Sequence, residues 1–461
     1  MKYYIRRLIF SFILLSAITV WGVEPLPFPK MHSYSMRNGL KVVLIQQREQ
    51  PILRFTMLFN AGTLQDLKGK EGTAELVAAL LDQGTQAHSS DAIAKTIESV
   101  GGSLGASAGK TAITVSCRVL KWHESTGLSL FSDIIRNPAF RKKEFKRVQH
   151  QFKTNLKENV EDNNWLLDSY TNHVLFGPES AWGRTQTARS LKQLSIQDLQ
   201  HYYATHFLPN NATLVVVGDL EFDAIKKTIK HYFSSWEPGK VYTYTQAKTP
   251  KKAKLLFIDK PGQTQANLAL VHFGTPLHSP LYPAFRLLNY CLGGGGFSSA
   301  LMKAVRSERG QTYSIYSYSR TYPDLTIHAI KTFSRNKQLP SVIDTIDTVL
   351  TQLQDKNFSA ETLEKAKSFY KGYLPIQFED PSTVSSWVIN GLHKGLTLSQ
   401  IQSQYEALLE AKSETVHELL KTMFSFDQFS MIIVGDHHQL KESLAHFQPY
   451  DVVYYKAISK R

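Results

Sequence analysis

Apolar and polar positions follow two different periods along this chain, and the two periods keep to separate stretches. "LKVVLIQ" (40–46), "LRFTMLF" (53–59) and "AITVSCRVL" (112–120) are short and rich in β-branched and aromatic residues, as strands are. "GKEGTAELVAALLDQGT" (69–85) has a helical rhythm, with Leu76, Leu80 and Leu81 on one buried stripe. "SSDAIAKTIESVGG" (89–102) predicts a second helix, with Asp91 at its start and Gly101 as its stop. Its inner face carries Ile93, Ile97 and Val100. Helical spacing then runs from 141 to about 206 before a last apolar strand. Strands grouped with strands and helices with helices predict an α+β sandwich, not a doubly wound parallel sheet.

The pattern then occurs a second time. "NATLVVVGDLEFDAIKKTIKHYF" (211–233) and "FSMIIVGDHHQLKESLAHF" (429–447) are each a strand, a Val-Gly-Asp turn and an amphipathic helix. Asp219 and Asp436 are 217 residues apart; Phe140 and Phe358, like Asp162 and Asp380, are 218 apart. A tryptophan follows each of the latter aspartates, Trp165 and Trp387. Unrelated similarities at one offset predict two homologous domains in tandem, 32–235 and 255–450. The polar, turn-rich "WEPGKVYTYTQAKTPKKAK" (236–254) reads as their linker.

Composition narrows the class. With 461 residues, 42% hydrophobic and 11% aromatic, the chain can fill two cores, which excludes a disordered protein. The start is basic at Lys2, Arg6 and Arg7, and a short apolar run follows from Leu8 to about Trp21. This predicts a secretory signal peptide (1–22) cut near Gly22, and an exported, periplasmic protein without a stable membrane anchor. Cys117 and Cys291 lie in apolar runs far apart and read as buried free thiols. The net charge of +14, or +11 after loss of the three basic signal residues, comes from scattered lysines. The basic stretches "KKEFKR" and "TPKKAK" are short, so we read a solvated basic surface and no nucleic-acid partner.

The helix at 69–85 carries the question of function. Glu75, Ala78 and Ala79 share one face of it, a carboxylate beside two methyl groups. Together with "ESVGGSLGASAGKTAITVSC", "FLPNNATLVVVGD" and "LLNYCLGGGGFSSALMKAVRSERGQTYSIYS", this segment resembles the insulinase/pitrilysin peptidases, from about residue 32 to 450. The resemblance implies two similar α+β domains closing like a clamshell around a peptide chamber. It also implies an inverted zincin motif, His-x-x-Glu-His, with a glutamate further on as third zinc ligand. Zinc needs three protein ligands and an open position for its water. On this chain the two histidine positions are Glu75 and Ala79, the base position is Ala78, and the third-ligand position falls at Asn155, with Glu158 the nearest acid. We therefore expect no metal on this chain and no catalytic residue acting in isolation. His437 and His438, with Glu442 beyond, read as a solvated turn.

The second half keeps what the resemblance assigns to substrate. Arg306 stands seven residues before Tyr313 in "RSERGQTY", and the family implies that such a pair supports the substrate and its developing oxyanion. From the residues alone, a helix-end arginine and a core tyrosine would explain the same pattern. Gly293, Gly294, Gly295 and Gly296 would either line the chamber or form a flexible hinge. Some short members of the family work in pairs, one subunit carrying zinc and its partner the Arg–Tyr and glycine features. The resemblance therefore implies a non-catalytic, substrate-holding subunit of an exported zinc endopeptidase. Its partners would be a zinc-bearing relative and a peptide. The alternative is a peptide-binding or structural protein with no part in proteolysis.

Overall fold

The computed structural model describes residues 29–244 and 255–460. The signal segment 1–22, and residues 245–254 of the linker, lie outside the described residues. Sheet one contains β1 (Met31–Ser35), β2 (Lys41–Gln46), β3 (Ile52–Phe59), β4 (Ser103–Ala108), β5 (Ile113–Leu120) and β6 (Ala212–Gly218), ordered β1-β2-β6-β3-β5-β4. Sheet two contains β7 (Leu255–Asp259), β8 (Gln265–Gly274), β9 (Ile315–Thr321), β10 (Thr326–Arg335), β11 (Ser430–Gly435) and β12 (Asp451–Tyr454), ordered β12-β7-β11-β8-β10-β9. The orders match at five of the six strands, β2-β6-β3-β5-β4 against β7-β11-β8-β10-β9. In each sheet a corresponding parallel pair, β2 with β6 and β7 with β11, is followed by antiparallel neighbours. They differ at one edge, where β1 runs antiparallel to β2 but β12 runs parallel to β7.

Eight helices accompany the first sheet among the described residues: α1 (Thr73–Leu80), α2 (Ser90–Ser99), α3 (Glu124–Arg136), α4 (Lys142–Asn159), α5 (Asn163–Phe176), α6 (Ala188–Gln193), α7 (Ile196–His206) and α8 (Phe222–Phe233). The second half continues with α9 (Tyr282–Asn289), α10 (Leu339–Lys356), α11 (Ala360–Gln377), α12 (Pro381–His393), α13 (Leu398–Leu409) and α14 (Ser413–Met423). Local chemistry sets their starts. Ser89 Oγ accepts the Ala92 N–H and caps α2. Asp162 accepts the N–H groups of Asn164 and Trp165 at 2.7 and 3.3 Å, and Asp380 accepts that of Thr383 at 3.0 Å. The aspartate pair that marks the repeat is thus a pair of helix N-caps.

The two capped helices do not stay with their own halves. α5 leaves the first half and packs on β8 and β11 of sheet two, while α12 packs on β3 and β6 of sheet one. Val43, Ile45, Leu58, Val215 and Val217 form an outer face of sheet one that is covered by Val384, Val388 and Ile389 of α12. The opposite strand residues, such as Phe55, Met57, Leu214 and Val216, pack on the first half's own helices. Sheet two mirrors this, with Ile258, Val271, Ile432 and Val434 in one core with Leu166 and Leu167 of α5. Burial on both faces explains why "LVVV" and "MIIV" read as unbroken apolar runs.

Polar contacts reinforce the exchange. Ser385 Oγ donates to Thr56 Oγ1 at 2.8 Å, and Asp168 on α5 pairs with Lys331 at 2.8 Å and accepts the Tyr318 hydroxyl at 3.1 Å. The halves are therefore interlocked, not simply consecutive. Cys117 and Cys291 are buried and free. Among the described residues no helix is long and apolar enough to cross a membrane.

Candidate functional site

The degenerate motif is built from a turn and the start of α1. Asp66 is buried, and its carboxylate accepts the Gly72 and Ala74 N–H groups at 2.8 and 2.9 Å, holding the positive end of the helix. Burial raises the Asp66 carboxyl to about 7 against the lowering effect of those N–H groups. One turn on, Glu75 is partly buried, Ala78 is 1% exposed within the core, and Ala79 packs at its margin. Burial raises Glu75 as well, opposed by the Lys110 ammonium, and burial in turn lowers Lys110. Lys110 Nζ donates to the carbonyl oxygens of Trp182 and Arg184 at 3.2 and 3.1 Å. The Arg184 guanidinium meets Glu71 at 3.0 Å.

Asn155 does not join this group. It lies on the exposed face of α4, as does Glu158, while its neighbour Leu156 is the buried one. α4 packs on α1, so helical phase turns an apolar side chain toward the motif and the amide of Asn155 toward water.

A cavity of about 420 Å³ opens beside Glu75. The second half closes it with Arg320 and Tyr322, and neither Arg306 nor Tyr313 lines it. Sequence reasoning missed both contributors. The alternation Tyr316, Tyr318, Arg320, Tyr322 was their signal, since a strand of period two puts all four on one face.

Arg306 and Tyr313 do meet, but elsewhere. The chain from Met302 to Glu308 winds as a π-helical segment, Gly310 turns it at φ +59°, and β9 begins only at Ile315. Tyr313 therefore precedes the strand, and at 74% exposure it is not a core tyrosine. The Arg306 guanidinium sits over its ring at 4.9 Å and over the ring of Phe297 at 4.5 Å, and Phe297 is itself 71% exposed.

The glycine run lies alongside. Tyr290–Gly294 is a second π-helical turn, and a Cβ at Gly293 would come within 2.6 Å of the Ser317 backbone nitrogen on β9. A Cβ on Gly295 would press on the Tyr290 ring, which stacks on Phe369 at 4.7 Å. Close packing on β9 therefore requires glycine at 293. Four exposed rings lie here, Phe297 and Tyr313 at Arg306, and Phe369 stacked on Tyr373 and on Tyr290 beside the glycine turn.

Two family models match this chain. The insulinase model, peptidase family M16, covers residues 41–178, and the model described as the peptidase M16 inactive domain covers 193–370. The chain belongs to the insulinase family, M16. Among its M16 relatives, an uncharacterized zinc protease YmxG of Bacillus subtilis is 26% identical over 86% of this chain and 96% of its own length. A non-peptidase homolog YmxG of Helicobacter pylori is 24% identical over 87% of this chain and 93% of its own. The mitochondrial-processing peptidase beta subunit of Lentinula edodes is 22% identical over 83% of this chain and 85% of its own. A solved peptidase M16 inactive domain from Pseudomonas fluorescens superposes with a TM-score of 0.82 at 23% identity, spanning 88% of this chain and 98% of that one.

The zinc that M16 implies does not fit the residues present. A buried methyl at Ala78, a methyl at Ala79 and a solvent-facing Asn155 supply no lone pair toward Glu75, and the Lys110 ammonium already balances its charge. Among the described residues no three His, Cys, Asp or Glu side chains gather as metal ligands would. His437 instead packs against Phe257 and reaches the Tyr450 hydroxyl at 3.3 Å.

Proposed function

We propose that this M16 chain is the non-catalytic, substrate-holding subunit of an exported zinc endopeptidase and works beside a zinc-bearing relative. The observation that carries the reading is the Arg306–Tyr313 pair, formed at 4.9 Å, with Tyr313 open to solvent and neither residue lining the Glu75 cavity. A guanidinium presents several fixed donors and a phenol one more, a set suited to a polarised peptide carbonyl. The exposed rings at the pair and beside the glycine turn support a protein partner, since clustered exposed apolar surface of this kind marks interaction sites. A relative named as the beta subunit of a processing peptidase favours work in pairs. Export rests on the basic start and short apolar run of residues 1–22.

The test is co-expression with a zinc-bearing M16 protein from the same cells. The two chains should co-purify. Arg306→Ala or Tyr313→Phe should then cut turnover about a hundredfold to a thousandfold, with the complex intact on gel filtration. A zinc-bearing relative that is fully active alone and indifferent to this chain overturns the proposal. That result would favour the second reading, a peptide-binding or structural protein, which the name of the Helicobacter pylori relative supports. N-terminal sequencing of the mature chain should find the cut near Gly22, and an intact Met1 in the membrane fraction would count against export.

A further inference from the structure

The cavity beside Glu75 has an unequal account of donors and acceptors. Of its acids, Asp66 is occupied by two backbone N–H groups, and Glu71 is held by Arg184 and the Gly69 N–H. Glu75 has Lys110 as a nearby charge, but two of the three Lys110 hydrogens go to the Trp182 and Arg184 carbonyls and none is bonded to the Glu75 carboxylate. The carboxylate therefore has charge balance without a hydrogen-bond donor. Three further wall atoms are buried without a hydrogen-bond partner: the acceptor Gln186 Oε1, the hydroxyl Thr63 Oγ1, which can accept, and the donor Arg184 Nε, which meets Glu71 only as an ion pair. Buried acceptors left open in this way are uncommon and costly, and they point to a group with several N–H bonds.

The remaining walls say what else that group carries. Trp165 and Tyr322 add aromatic surface, and Arg320 enters from the second half with its side chain 52% exposed and 3.9 Å from Asp168. The guanidinium also hydrogen-bonds the Tyr322 side chain, and its exposed remainder is the group an anion would meet. We propose that this cavity binds a short peptide as a zwitterion, the α-ammonium on Glu75, Gln186 Oε1 and Thr63 Oγ1 and the carboxylate at Arg320. The volume of about 420 Å³ lies in the range of small-ligand pockets. The site is separate from the Arg306–Tyr313 face and stands or falls apart from it.

Titration calorimetry on the full mature chain tests this with three probes: trialanine, N-acetyl-trialanine and trialanine amide. Trialanine should saturate one site per chain. Acetylation and amidation should each weaken it about tenfold or more, the usual effect of losing one charge-assisted contact. Glu75→Gln should abolish the preference for the free amine, and Arg320→Gln the preference for the free carboxylate. Equal binding of the capped and free peptides overturns the proposal, as does the absence of saturable binding by trialanine. These comparisons on the unaltered chain hold even if a variant folds poorly.

Discussion

Ala78 is 1% exposed and packs within the core, so a carboxylate introduced there would have no water and no partner. Ala78→Glu should lose about 3 kcal/mol or more in urea unfolding, the scale of an uncompensated buried charge. Ala79→Glu, at the margin of the same face, should cost less than about 1 kcal/mol. The same face predicts that the purified chain, dialysed against zinc and analysed by plasma mass spectrometry, holds well under one zinc per molecule. A full equivalent that vanishes in Glu75→Gln would contradict the geometry. The helical face of Glu75, Ala78 and Ala79 was legible in the sequence because spacings of three and four leave little choice on a helix. The orientation of Asn155 was not legible, because the position was reached by counting through α2, β4, β5 and α3, and the phase of α4 is not written in that count. Lys110 was missed for a related reason. It lies in the turn between β4 and β5, and no local pattern announces a charge that acts across the fold.

Strands β8 and β10 carry a pH dependence of their own. His272 and His328 face each other across this strand pair, with Nε2 of one 3.0 Å from Nδ1 of the other, and His328 Nε2 lies 3.0 Å from Asn289 Oδ1. If that oxygen accepts, His328 donates from Nε2 and accepts from His272, so both rings are neutral. Burial lowers His272 from 6.5 to about 3, and burial together with the nearby His272 holds His328 well below the ordinary histidine value. An unfolded chain takes up these protons below about pH 6.5 and the folded chain does not, so stability falls as pH drops from there toward 3. Each ring contributes up to about 1.4 kcal/mol per pH unit. His272→Phe should therefore narrow the stability difference between pH 7 and pH 5 by about 2 kcal/mol in urea unfolding. An unchanged difference would mean the pair is protonated in the fold. Strands β2, β3 and β5 were legible in their apolar, β-branched runs. β1 and β4 were not, because "MHSYS" and "SLGASA" have few of the side chains that mark a strand.

For the whole molecule, the repeat was legible and the interlocking was not. An amphipathic pattern shows that α5 and α12 bury a face, but it does not say which sheet receives it. The exchange predicts that neither half folds alone. Residues 29–244 expressed by themselves would leave Val43, Ile45, Leu58, Val215 and Val217 uncovered, and should bind a hydrophobic dye and unfold without a sharp transition. Co-expressed halves should recover a cooperative transition. A monomeric first half with its own sharp unfolding curve would refute this. The order of synthesis gives the same feature a cost in time. β6 ends at Gly218 and α12 at His393, so 175 residues must be added before the first sheet is covered. At about 5–20 residues per second that is roughly 10–35 s during which a sticky surface leads the growing chain. A chain released before that point would be a natural client for a holding chaperone, and aggregation of prematurely terminated products should drop sharply once α12 is complete.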